Sequence, residues 1–207
     1  MRHRRSLWTI LAVTLLTIAV LPIEASGTYR LIDRWENPDD YRRFKKFLVV
    51  GLSDDKEVRH QFENNFVSQL RGRDIDAMAS YRIARDLVDI DDTERAKILQ
   101  AIEDENIDGV ISVRAVRLKD ITEEQWIENW KAQVEGDGTF RDLINETLPL
   151  SEDKVKHYGV ELTVWDVENR QRIWAGRTNV LRRKQLKKGV SEFVRGVMGA
   201  LVTADLV

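Results

Sequence analysis

The chain has 207 residues, with 33 Lys and Arg against 35 Asp and Glu and a formal net charge of −2. That length suits one well-cored domain and is marginal for two, and the near-neutral balance lacks the electrostatic footprint of a general nucleic-acid binder. Cysteine is absent, which excludes disulfide staples, thiolate nucleophiles, soft metal ligands and a lipobox cysteine.

The first segment predicts a signal peptide over residues 1–25. Arg2, Arg4 and Arg5 precede an uninterrupted uncharged run, Leu7–Leu21, and small residues follow near Ala25-Ser26. This is the order of a basic, an apolar and a processing region. The run is short of the roughly 20 residues a spanning helix needs. Arg4-Arg5 is reminiscent of a twin-arginine signal, but the short basic region fits the unfolded-chain export route. The expectation is an exported, periplasmic protein without a lipid anchor, unless residues 1–25 are retained.

Residues 26–46 read as an irregular lead-in pinned by Trp35, Tyr41 and Phe44, followed by an α/β domain over 47–207. Phe47–Leu52 is a short continuous apolar run, which favours a strand buried on both faces. Asp54 or Asp55 is placed to cap the next helix, where Val58, Phe62, Phe66 and Leu70 make one apolar stripe that Gly72 ends. Ala77–Ile83 reads as a second strand. The acidic stretch 86–92 then enters a helix, with Asp91 and Glu94 at capping-box spacing. Ile98, Leu99, Ala101 and Ile102 are expected to face inward, and Asn106 to close the helix. Val110–Val116 reads as a third strand, and the βαβαβ order points to a parallel or mixed sheet.

Residues 119–153, with Trp126 and Trp130, have a mixed pattern and are expected to form an irregular insert. Tyr158, Val160, Leu162 and Val164 then alternate with more polar neighbours, the period of a half-covered strand. Residues 166–171 reverse the chain, with Asn169 the expected positive-φ residue, and Arg172–Leu181 returns as the antiparallel partner. Trp165 and Trp174 flank the turn as a possible cross-strand pair. Leu186, Val190, Phe193, Val194, Val197 and Leu201 make the last amphipathic helix, on which Gly189, Gly196 and Ala200 form a small-residue strip expected to face the sheet. The fold class is therefore α/β (α+β) in the order β-α-β-α-β-(insert)-β-β-α, a mixed sheet with a C-terminal antiparallel hairpin.

Catalytic chemistry is thinly supplied. His60 and His157 lie outside any zinc-ligand spacing, no serine sits in GxSxG, and no glycine-rich phosphate loop is written. No cofactor or metal is implied. The best candidate is the pair Asp54 and Asp55 beyond the first strand of the domain, where open α/β sheets bind ligands; its structural counterpart is a helix cap. A second feature is a run of bases without an acid, Arg170, Arg172, Arg177, Arg182, Arg183, Lys184, Lys187 and Lys188. Several crowd the start of the last helix, against the helix dipole, which suits contact with an anionic partner or surface.

The motifs Phe47–Leu52, Asp55, Arg59, Phe62-Glu63, Leu70, Ser80-Tyr81, Asp108–Ile111, Tyr158–Asp166 and Ile173–Thr178 occur in an order that resembles a family of uncharacterised bacterial envelope lipoproteins. The sheet-and-helix plan is also similar to the periplasmic domains of the curli-secretion and penicillin-binding-protein-activator lipoproteins. The resemblance implies a periplasmic α/β domain, and it transfers no catalytic residue. This chain departs from the family in lacking the lipobox cysteine and a glycine in the hairpin turn. The expected function is non-catalytic: binding an envelope protein or an anionic envelope surface in envelope or outer-membrane assembly, with homo-oligomerisation through 119–153 a further form of partner. The alternative is a periplasmic ligand-binding protein or hydrolase using Asp54 or Asp55.

Overall fold

The computed structural model describes residues 29–37, 42–53, 55–84, 92–118, 121–136, 157–182 and 188–207. The expected leader, Asp54, the 86–91 acidic stretch, the Asp91–Glu94 cap, Leu186, most of the insert and Arg183, Lys184 and Lys187 lie outside them.

The continuous apolar run forms β2 (Lys46–Leu52), buried almost throughout. Alternation sends Phe47 and Val49 into one core layer and Leu48, Val50 and Leu52 into the other. β2 is an interior strand one place from the sheet edge, with both of its faces covered. It pairs in parallel with β3 (Asp76–Ala79) and β4 (Gly109–Arg117). Beyond β4 the sheet turns antiparallel: β5 (His157–Asp166), β6 (Gln171–Thr178) and β1 (Leu31–Glu36) follow in that spatial order. Among the described residues the order is β1-β6-β5-β4-β2-β3, with the short β7 (Leu181–Arg182) paired to the start of β5. The mixed α/β class and the terminal hairpin agree with the sequence.

Among the described residues four α-helices cover the sheet. α1 (Lys56–Arg71) starts at Asp55, whose carboxylate accepts from the amides of Glu57 and Val58 at 3.1 and 3.3 Å. Its stripe of Val58, Phe62, Phe66 and Leu70 meets Phe193, Val194, Val197 and Leu201 of α4 (Val190–Thr203) in one apolar layer. α2 (Asp92–Asp104) packs Ile98 and Ile102 on Leu48, Val50, Val110 and Trp165 across the opposite face. α3 (Glu123–Glu135) adjoins it there, setting Trp130 and Val134 against Ala175 and Trp35.

Several expectations are corrected. Within the supposed lead-in, Leu31–Glu36 is an edge strand; its alternate residues stay exposed, so hydrophobicity alone did not show it. Within the insert, α3 begins with a capping box: Gln125 donates its amide to the Thr122 hydroxyl at 3.2 Å, and Thr122 returns its amide to the Gln125 side chain at 2.9 Å. The second strand stops at Ala79 and tightens into a 3-10 turn, Ser80–Arg82. β5 is covered on both faces rather than one, because α3 lies over its polar side. The positive φ of the hairpin belongs to Arg170, at 55°; Asn169 instead donates its side-chain amide to Asp166 at 2.7 Å. Leu99 is exposed, and so is Gly196, around which nothing lies within 4 Å of an added Cβ. Trp165 and Trp174 do not pair. Trp165 opposes Arg172 while Val164 opposes Trp174, so Ile173 is the extra residue of a bulge, and the two indoles lie in different core layers.

Candidate functional site

At the end of β2, the side chains of α1 fill the space that a ligand would need. Glu63 lies on the flank of the apolar stripe and is fully buried. One of its oxygens accepts from Gly51 N at 2.9 Å, Arg59 Nε at 2.8 Å and Ser80 Oγ at 2.8 Å; the other accepts from Tyr81 N at 2.9 Å. The Arg59 Nη2 donates to Ser80 Oγ and to the Ala84 carbonyl at 3.0 and 2.9 Å. A carboxylate that accepts four donors is held as a structural anion. Gly51 permits this approach, since a Cβ there would lie 3.0 Å from Arg59 Cγ and 3.2 Å from Glu63 Oε1. Asp55, the described half of the candidate pair, is committed to the helix cap. Sequence reasoning gave Arg59 and Glu63 no role; the signal was two opposite charges four residues apart beside Val58 and Phe62.

The second cluster lies between α3 and the sheet. Trp126 donates its indole N–H to Glu161 Oε1 at 2.5 Å, and Arg114 holds Glu161 Oε2 through Nε at 3.0 Å and Nη2 at 2.5 Å. The same Nη2 donates to the Gln133 side chain at 3.0 Å. Arg172 lies over the Trp165 ring, 5.1 Å from its centroid, and donates to the Gln133 carbonyl at 2.5 Å. Arg177 lies 5.4 and 5.5 Å from the ring centroids of Trp126 and Trp130 and pairs with Asp33 at 3.2 Å. Gly159 makes room for α3, because a Cβ at that position would sit 2.3 Å from the Trp126 ring. A crevice of about 20 Å³ opens here among Leu52, Ser112, Arg114, Gln133, Glu161, Thr163 and Trp165, room for about one water.

The run of eight bases is divided by the fold. Arg172 and Arg177 are buried in the seam just described; Arg170 is exposed in the hairpin turn, and Arg182, at the end of β7, and Lys188, just before α4, are exposed. The turn itself is fastened by buried Asp166, which accepts from Glu168 N at 2.9 Å and pairs with Arg42 at 3.1 Å. At the same end of the sheet, a hydrogen bond to Glu105 raises Lys46 above the ordinary lysine range. His60 stacks on Tyr81 at 4.3 Å, and His157 is exposed at the start of β5. Among the described residues no group of three or more His, Asp or Glu is placed to hold a metal ion, and no helix is long and apolar enough to cross a membrane.

No family model and no curated protein matches the chain. Two solved structures share its outline at low similarity. A point variant of the PelC dodecamer from Paraburkholderia phytofirmans has 16% identity and a TM-score of 0.43, covering 87% of this chain and 100% of that one. The PelC dodecamer from the same organism has 18% identity and a TM-score of 0.42, covering 87% and 99%. At these scores the likeness carries no argument about this chain's activity or assembly.

Proposed function

We propose that the chain is an exported, non-catalytic α/β domain that binds an anionic surface or acidic protein of the cell envelope through the bases at the start of α4. The observation that carries this reading is the division of the basic run. Its two strand arginines are spent inside the fold, whereas Arg182 and Lys188 are exposed and bracket Arg183, Lys184 and Lys187 in sequence. Lys188 lies just before α4, where positive charge is unfavourable toward the helix dipole, and the run of bases around it in sequence fits a partner of opposite sign. The basic leader, and the resemblance of the β5–β6 motifs to envelope lipoproteins, support the compartment. The ligand-binding or hydrolase alternative loses its described carboxylate, Asp55, to the α1 cap.

Co-sedimentation with anionic and with zwitterionic vesicles tests the proposal. The wild type is expected to follow the anionic vesicles, to release as salt rises, and to lose binding in an Arg182→Glu, Arg183→Glu, Lys184→Glu variant. Salt-independent binding, or binding that survives the charge reversal, contradicts it. Sizing across a concentration series tests self-association as the other form of partner, and N-terminal sequencing of exported protein tests the leader.

A further inference from the structure

Among the described residues three buried side-chain atoms meet no hydrogen-bond partner: Trp174 Nε1, Arg177 Nε and Arg177 Nη1. Trp174 lies in the apolar layer of α1 and α4, with no charge to give its N–H a purpose. Arg177 is different, because it is a cation, 6% exposed, with one open donor on each side of its Nη2 contact to Asp33. A buried donor without an acceptor costs about 1–3 kcal/mol, more when charged. The neighbouring carboxylate does not relieve it. Glu161 faces Arg177 in the β5–β6 register, yet its two oxygens are taken by Trp126 and Arg114. Indole rings compensate a cation in part, but they accept no hydrogen bond at Nε or Nη1. The seam meets solvent at the sheet edge, where Asp33 on β1 is 32% exposed.

We propose that Arg177 anchors a small-carboxylate site beneath α3, entered from the β1 edge beside Asp33. Its two open donors are enclosed in this structure, so a ligand enters by displacing part of the seam, and a planar carboxylate then meets a guanidinium edge with parallel charge-assisted bonds. Asp33 partly neutralises the site and competes with the incoming anion. The site is independent of the exposed bases near α4, so either reading can fail alone. A free monocarboxylate and the C-terminus of a peptide share the required chemistry.

The test titrates acetate into the full chain, replacing chloride at constant ionic strength, and follows tryptophan fluorescence and the thermal midpoint. An acetylated dialanine acid and its amide form the second arm; a response to acetate assigns a free carboxylate, and a response to the peptide acid alone assigns a chain terminus. Saturable binding with a rising midpoint is expected in the wild type and in Lys188→Gln, and is lost in Arg177→Gln. Asp33→Asn should bind about fivefold more tightly, the factor for about 1 kcal/mol of removed like-charge repulsion. Absence of a saturable response to either carboxylate, or a response that survives Arg177→Gln, overturns the site. Should Arg177→Gln not fold, unchanged or weaker binding by Asp33→Asn overturns it.

Discussion

The sheet face under α1 and α4 and the part of the other face under α3 are held by different physics. Under α1 and α4 the layer is a continuous apolar mass, in which Phe66, Val194, Met198 and Leu201 are fully enclosed and one buried ion pair, Arg59–Glu63, is satisfied on every side. Under α3 the contact consists of arginine, glutamate and tryptophan, with only Trp130, Val134, Ala175 and Trp35 forming an apolar spot. The first arrangement is held by apolar surface removed from water, a non-directional force. The second is held by directional hydrogen bonds and ring–cation contacts, which are weaker in sum and fail together when one member moves. The α1–α4 face thus resembles a domain core; on the other face α2 covers a second apolar layer, and the part under α3 resembles an interface carried within the chain.

Breaking the first face should have the largest effect. Phe66→Ala is expected to cost about 3–5 kcal/mol in denaturant unfolding, and Glu63→Gln a similar amount, because it leaves Arg59 buried without its anion. On the α3 face, Gly159→Ala drives a methyl into the Trp126 ring and should cost about 1–3 kcal/mol. Its loss should also appear as a changed tryptophan emission, whereas Phe66→Ala lowers stability with little spectral change in the folded state. Thr122→Ala removes the α3 cap and is expected to cost about 1 kcal/mol, measured by the same unfolding curve. The smallest effect is electrostatic. A backbone amide and the Thr122 hydroxyl hold the Glu124 carboxyl below the usual range. Its contribution is therefore present above the ordinary glutamate pKa and fades as pH falls through the depressed value, so acid should loosen the first turn of α3. Far-UV ellipticity of Glu124→Gln across pH 3–6 checks this, with the variant's helix signal flatter than the wild type's.

The same contrast explains what the sequence showed. β2, α1 and α4 were legible because Phe47–Leu52, the Val58–Leu70 stripe and the Val190–Leu201 stripe repeat apolar residues at the period of their structure. The β5–β6 hairpin was legible for the same reason. α3 was hidden although Trp126, Trp130 and Val134 stand four apart, because charged and polar residues surround them and Thr122 with Gln125 was not read as a cap. β1 was hidden because an edge strand needs only one partner, and Ile32 on its exposed side and Asp33 on its half-buried side interrupt the alternation; Arg34 even gives its amide to the Asp33 side chain at 3.0 Å. The bulge at Ile173 was hidden too, and with it the placement of Trp165 and Trp174 in opposite layers. The buried roles of Arg172, Arg177, Arg59 and Glu63 depend on partners distant in sequence, and a charge in a sequence does not state whether it will be solvated.

The most direct test of the two-face account is amide hydrogen exchange of α1 and α3 in the same sample. The account predicts that residues 123–135 exchange through a local opening of lower free energy than residues 56–71, which open only with global unfolding. It also predicts that Trp126→Phe lowers the protection of α3 while leaving that of α1 nearly unchanged. Equal protection of the two helices, or a parallel loss in both on removing the Trp126–Glu161 bond, would contradict it.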